Sequence, residues 1–226
     1  PSPGCLAEQL RIAQRENYAL CGPVVRAIEQ SDLFAFPWPG RAIPRSVTAF
    51  RQANGLDAYA TAKPPLWNGT LLYADAARSY GLPKYEMFIW GEDNEYCERL
   101  HAAGLSSGIA IRADYFHPDQ RDRGWWLFHL RVFSLHLRVC LMCDLCSPRF
   151  PIHSRNLGFR VWKYHGALST IFVAALAMCR IAIRGGFAKA ARFLSYYWDG
   201  VSDRFSREPS RSALGCNLAI VSPQTK

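Results

Sequence analysis

The chain is 226 residues long, half of them hydrophobic and 13% aromatic, which is enough apolar material for a packed core and excludes global disorder. Its net charge of +9 is lopsided: residues 1–120 carry 11 Lys/Arg against 13 Asp/Glu, and residues 121–226 carry 16 against 5. Because Trp, Phe and Leu dominate the basic half, the pattern fits an anionic membrane surface and argues against a nucleic-acid partner.

The eight cysteines are irregularly spaced along a chain too long for a small disulfide scaffold, so reduced thiols are expected. The opening Pro1-Ser2-Pro3-Gly4 carries no basic segment, apolar stretch and small-residue cleavage site, so no signal peptide is expected; the opening reads as a point inside a longer protein.

Taken in chain order, Leu6, Leu10, Ile12 and Ala13 recur at helical spacing and predict a helix from Cys5 to about Ala19. Cys21-Gly22-Pro23 is expected to end it, with Val24-Val25 opening a short strand. Residues 30–65 read as one long irregular stretch, in which Phe34, Phe36, Pro37, Trp38, Pro39 and Gly40 mark a folded loop. Trp67 to Tyr73 predicts a strand, Asp75 to Tyr80 a short helix closed by Gly81-Leu82-Pro83, and Tyr85 to Trp90 a buried strand. A helix from Gly91-Glu92-Asp93 to Ala103 stops at Gly104, and Ile109 to Tyr115 alternates as a further strand ending at His117. Strands alternating with helices predict an α/β fold. Beyond residue 121 the chain reads as helical: Trp125–Cys146, Asn156–Ile183 and Phe187–Tyr197. The uncharged run from Ala167 to Cys179 is shorter than the about 20 residues of a bilayer span, so an interfacial or core helix is expected there. Two regions follow: an α/β part over 1–120 and a helical, basic, membrane-associating part over 121–226.

The chemistry concentrates in Phe88-Ile89-Trp90-Gly91-Glu92-Asp93-Asn94-Glu95-Tyr96. Three carboxylates fall within four positions at a strand–helix junction, where ligands bind in α/β sheets. The helix N-terminus favours their ionised forms, while mutual repulsion raises at least one pKa, so one can serve as a base toward a hydroxyl nucleophile. On spacing alone, however, acids in a first helical turn are a capping pattern. His117 ends the next strand; beside carboxylates a neutral imidazole is a divalent-metal ligand, and alone it is more often structural.

Taken together, Trp67-Asn68-Gly69-Thr70-Leu71-Leu72, Gly81-Leu82-Pro83, the 88–96 run, Arg99, Gly104 and Ala113-Asp114-Tyr115-Phe116-His117 resemble family-2 glycosyltransferases of the rhamnosyl and galactofuranosyl type. Arg155-Asn156 and Tyr197-Trp198-Asp199-Gly200 resemble the tail of the same enzymes. The resemblance implies the acceptor-side part of a GT-A-type domain, without its nucleotide-binding N-terminal half and Asp-x-Asp metal motif, so that donor binding by this chain alone is expected to be poor. It implies Asp93 as the general base, and Trp90, Glu92 and Glu95 as acceptor-binding residues, with Glu92 standing where the family has Asp. Asn68 and Gly69 would border the donor, and His117 would help hold a divalent metal, Mn or Mg, on the donor diphosphate. The implied reaction is an inverting transfer of a hexose, rhamnose or galactofuranose, from a nucleotide-sugar donor to a lipid-linked or polysaccharide acceptor. The implied location is peripheral, at the cytoplasmic face of a membrane.

The alternative reading is a non-catalytic, membrane-associating or scaffolding remnant whose acids only cap a helix. Cys140-x-x-Cys143-x-x-Cys146 matches part of a zinc pattern but wants a fourth ligand, for which His136 is the one helical-spacing candidate. Small apolar core cysteines are the commoner explanation of such a cluster. Trp125-Trp126 and the arginines that follow read as an interfacial helix or a core helix. Asn68-Gly69-Thr70 matches the glycosylation pattern by chance.

Overall fold

The computed structural model describes residues 1–36, 46–62, 64, 68–87, 91–119, 126–132, 135–141, 145 and 149–205, with 126–132 and 135–141 described by their backbone. The chain divides into two compact units, Pro1–Met142 and Cys143–Lys226.

The first unit is α/β. Helix α1 (Cys5–Glu16) buries Cys5, Gln9 and Ile12 and is closed by Asn17 in the left-handed region, φ 53°, a conformation Asn tolerates better than most residues. The expected stop at Cys21-Gly22-Pro23 is instead the middle of strand β1 (Leu20–Ala27). Pro23 has no N–H to give a neighbouring strand, and the sheet accommodates it by a slip. Pro23 lies opposite Ala110 but Val24 lies opposite Asp114, so the parallel partner strand carries a bulge there.

Within 30–65, the described residues hold a helix and a strand that the composition does not indicate. Ser46 caps α2 (Val47–Asn54) by accepting from the Ala49 N–H, and β2 (Ala58–Ala60) follows. The strand expected over Trp67–Tyr73 reduces, among the described residues, to β3 (Leu71–Leu72). Helix α3 (Ala74–Tyr80) forms as expected. Tyr85–Met87 is a 3-10 turn and not the start of a strand: Met87 is fully buried while Tyr85 is exposed, and the Met87 N–H closes on the Lys84 carbonyl, a three-residue repeat that a strand cannot make. Phe88, Ile89 and Trp90 lie outside the described residues. Then come α4 (Glu92–Ala102) and the long strand β4 (Ser107–His117).

The main sheet runs in the order β2-β4-β1-β3, with β1 and β4 parallel and the two outer strands antiparallel to their neighbours. Tyr96, Cys97 and Leu100 of α4 pack on Ala19 and Leu20. Phe50 of α2 packs with Val24, Ile109 and Ile111, and α1 closes on Cys21 and Ala110. Each such large buried side chain contributes about 1.5–3 kcal/mol relative to exposure.

The helix expected over Trp125–Cys146 is an antiparallel hairpin of β5 (Trp126–Val132) and β6 (Leu135–Leu141), and it belongs to the first unit. The reason is a period of two in the sequence. Trp126, Phe128, Leu130 and Val132 alternate with His129 and Arg131, and they pair in register with Leu141, Val139, Leu137 and Leu135. In a strand His136 and Cys140 are about 13 Å apart, which removes His136 as the fourth ligand of the cysteine cluster. Cys143 and Cys146 lie outside the described residues.

Among its described residues, the second unit is a pair of helices, α5 (Phe150–Gly185) and α6 (Phe187–Val201). Helix α5 begins six residues before the expected Asn156 and is broken at Gly166, φ 78° and ψ 179°. Gly158 and Gly200 make the crossing possible: a Cβ on the first would overlap the Tyr197 carbonyl oxygen, and on the second the Arg155 carbonyl oxygen. The Tyr197 hydroxyl donates to the Thr170 carbonyl at 3.0 Å.

Candidate functional site

Parallel β1 and β4 end side by side, Ala27 opposite His117, and this shared edge is where an α/β sheet receives ligands. Tyr115 and His117 alternate onto one face of β4. Tyr115 and Phe36 pack against Val25, Ala27 and Ala35, and the His117 ring lies 4.8 Å from that of Phe36. Gly69 reaches the same place. Its φ is 83°, and a Cβ at this position would stand only 2.6 Å from Tyr115 Cδ2, so both the backbone and the space require glycine. The loop holding it is tied down by Gln9, whose buried amide donates to the Gly69 carbonyl at 2.7 Å and the Cys21 carbonyl at 2.8 Å. Gly69 thus packs against Tyr115, and His117 against Phe36, both on the same small cluster at the sheet edge. Gln9 is invisible in the sequence, where it is one polar residue in an amphipathic helix.

His117 Nδ1 is 2.8 Å from the Pro118 carbonyl oxygen. A carbonyl can only accept, so Nδ1 carries a proton, and in a neutral ring Nε2 would then be the atom that binds a metal. The donor chemistry of His117 thus fits one ligand of a divalent metal. No group of three or more His, Cys, Asp or Glu gathers for a metal among the described residues.

The edge is braced by a network that carries no sequence motif of its own. The Asp114 carboxylate accepts from Arg26 at 2.8 Å and from Arg51 at 2.7 Å, and Arg26 also lies over the Phe116 ring, 5.5 Å from its centre. Arg51 further donates to the Ile111 carbonyl inside the bulge. Asp114 belongs to the quoted motif, but its partners come from β1 and α2, far along the chain.

The acids open α4 after Gly91 in the left-handed region, φ 108°. No side chain caps the helix at Gly91, but all three acids stand in the first turn, where they offset the helix dipole. Asp93 Oδ1 accepts from the Asn94 N–H at 2.7 Å and from the Asn94 amide at 2.8 Å; Oδ2 accepts nothing from the described residues. Glu92 is half-buried, and its Oε2 is shielded from solvent with no hydrogen-bond partner among the described residues. Burial first, and the neighbouring Asp93 charge second, push the Glu92 carboxyl up to about 7. Glu95 is different. It is buried and paired with Arg99 at 3.1 Å, while Arg99 also donates to the carbonyls of Tyr80 and Leu82. Glu95 thereby holds the turn around Gly81. Neither Glu92 nor Asp93 is bonded to His117 or Gly69 among the described residues, and Trp90 lies outside them.

The raised Glu92 pKa carries a stability prediction. The folded state binds this proton more tightly than the unfolded chain, so the stabilisation is complete below about pH 4.5 and is lost as pH rises through about 7. Glu92→Gln, which cannot ionise, should be more stable than the wild type at pH 8 by about 1–2 kcal/mol after allowance for solvent screening. The gap should close toward pH 4.5. Melting temperatures of both proteins across that range measure it; parallel curves would remove the buried-carboxyl argument.

Comparison with known proteins gives a partial likeness. The chain is 28% identical over 120 residues to the galactofuranosyltransferase GlfT1 of Mycolicibacterium smegmatis, covering 52% of this chain and 40% of that protein. It is 30% identical over 122 residues to the galactofuranosyltransferase GlfT1 of Mycobacterium tuberculosis, covering 52% of this chain and 38% of that one. No family model and no solved structure matches the chain. The chain spans about two fifths of the length of the curated relatives it matches.

Proposed function

We propose that the chain is the acceptor-side part of a glycosyltransferase that moves galactofuranose from a nucleotide-sugar donor to a lipid-linked or polysaccharide acceptor, with inversion, at the cytoplasmic face of a membrane. The observation that carries this reading is the likeness, over half of the chain, to galactofuranosyltransferases. The geometry is compatible with it: a sheet edge where Gly69 meets Tyr115 and His117 meets Phe36, and an acidic helix start with one Asp93 oxygen left for a substrate proton.

In this reading Asp93 Oδ2 takes the proton of the acceptor hydroxyl as its oxygen attacks the anomeric carbon. The new carbon–oxygen bond forms opposite the departing diphosphate, which leaves with the bonding electron pair. Glu92, beside Asp93, meets acceptor hydroxyls, and in its protonated form it can donate as well as accept. Trp90 would lay its ring against the acceptor sugar, and Asn68-Gly69 would let the donor approach the backbone closely. Glu95 acts through Arg99 on the loop at Tyr80–Leu82 and is a positioning residue. A divalent metal, Mn or Mg, held in part by His117, would supply positive charge to the donor diphosphate.

His117→Ala in the full-length protein should raise the Mn concentration needed for half-maximal donor binding by about tenfold or more, as losses around metal sites do. Calorimetric titration of donor at several Mn concentrations reads this directly, and an unchanged Mn requirement would release His117 from the ligand role.

A further inference from the structure

Helix α5 is, among the described residues, the helix long and apolar enough by length and composition to cross a membrane. Its surroundings argue for a different use. After the break at Gly166, one side of α5 is consumed by helix packing: Thr170, Val173, Ala174, Ala177 and Ile181 are buried. The other side is left open. Leu168, Ile171, Phe172, Ala175, Cys179 and Ile183 are all exposed, with Leu168 at 86%, Ile171 at 59% and Ile183 at 84%. At about 100° per residue they fall within an arc of about 120°, and no charged residue enters that arc.

Charge says what this face meets. From Leu145 to Trp198 there is no Asp or Glu, against eight Lys/Arg. Arg180 lies about 60° outside one edge of the arc, and Lys163 and Lys189 stand beyond its two ends. An uncharged apolar stripe, in a stretch that carries cations and no acids, is suited to the headgroup–acyl boundary of an anionic bilayer. A nucleic acid would match the cations and leave the stripe in water. A spanning arrangement is disfavoured because the uncharged run Ala167–Cys179 is about 20 Å long, against a hydrocarbon core of about 30 Å.

We infer that the face of α5 from Leu168 to Ile183 lies flat in the surface of an anionic membrane. This membrane-binding element is in the second unit, on the Ala167–Cys179 stretch that the sequence leaves open between an interfacial and a core helix. The inference goes beyond the transferase reading by naming the docking surface, and its test uses neither donor nor acceptor, so either can fail without the other.

The test is co-sedimentation of the purified chain with vesicles of phosphatidylcholine alone and of phosphatidylcholine mixed with phosphatidylglycerol. The wild type should bind the anionic vesicles and bind the neutral ones far less. Leu168→Glu with Ile171→Glu should weaken anionic binding at least about tenfold with an unchanged circular dichroism spectrum, because both positions are exposed. Leu6→Glu, an exposed apolar position in the other unit, should bind like the wild type. Equal binding of the double variant, or equal binding of the wild type to both vesicle types, would overturn the inference. Resistance to alkaline carbonate extraction from native membranes would also overturn it, in favour of a spanning helix.

Discussion

Asp93→Asn in the full-length protein is expected to lower transfer by a factor on the order of 10² to 10⁴ with donor affinity essentially unchanged. Asparagine keeps the size of the side chain, and its carbonyl oxygen can still accept from the Asn94 N–H as Asp93 Oδ1 does now. What disappears is a basic oxygen for the acceptor proton. If the acids served only to open α4, the same substitution would cost a few tenths of a kcal/mol of helix stabilisation and would leave turnover intact. Initial-rate kinetics beside an equilibrium donor-binding measurement separate the two cases. A fall in the catalytic constant with donor affinity held marks a base, and retained turnover removes Asp93 from that role. Glu92→Gln sharpens the comparison. It should lose activity too if Glu92 meets the acceptor, yet it should gain stability at pH 8, because a functional carboxylate held in a poorly solvated place is a stability cost that a neutral amide lacks.

The second large effect is structural. Gly200→Ala should destabilise the second unit by about 3 kcal/mol or more. In an ordinary exposed helix this change is favourable by about 1 kcal/mol, so the sign of the result is itself informative. At Gly200 the added methyl would meet the Arg155 carbonyl and the Phe159 N–H of α5. These are backbone groups that cannot swing aside as a flexible side chain would. Gly158 faces the Tyr197 carbonyl in the same way, so each helix uses a glycine to admit the backbone of the other. Thermal unfolding followed by circular dichroism reads the change. A melting temperature equal to or above that of the wild type would mean the helices cross less closely than the structure has them.

How much of this is legible in the sequence varies with the physics of each element. Helices α1, α3, α4 and α6 are readable because an amphipathic stripe is local information, although α1 ends at Asn17 and not at the expected Gly22. The Pro23 strand reads as a stop because the device that tolerates the proline is a bulge in β4, almost ninety residues away. The β5/β6 hairpin escapes for a different reason. Its period of two is present in Trp126–Val132 and Leu135–Leu141, but the flanking helices and the arginines suggest one continuous basic helix. At the candidate site, motif order singles out Asp93, Glu92 and His117. It does not give their chemical states, since the Glu92 shift depends on burial and the His117 tautomer on the Pro118 carbonyl. Gln9, Arg26 and Arg51 carry no local signal, and the pairing of Asp114 is not legible from its motif, because these contacts reach 12 to 88 residues along the chain.

The most direct measurement of the central claim is the product of the full-length protein supplied with nucleotide-activated galactofuranose, Mn and a lipid-linked glycan acceptor, its new linkage read by NMR. The account predicts a transferred galactofuranosyl residue whose anomeric configuration is opposite to that of the donor. Transfer with retained configuration, or no transfer by the full-length protein under conditions where it binds the donor, would contradict it.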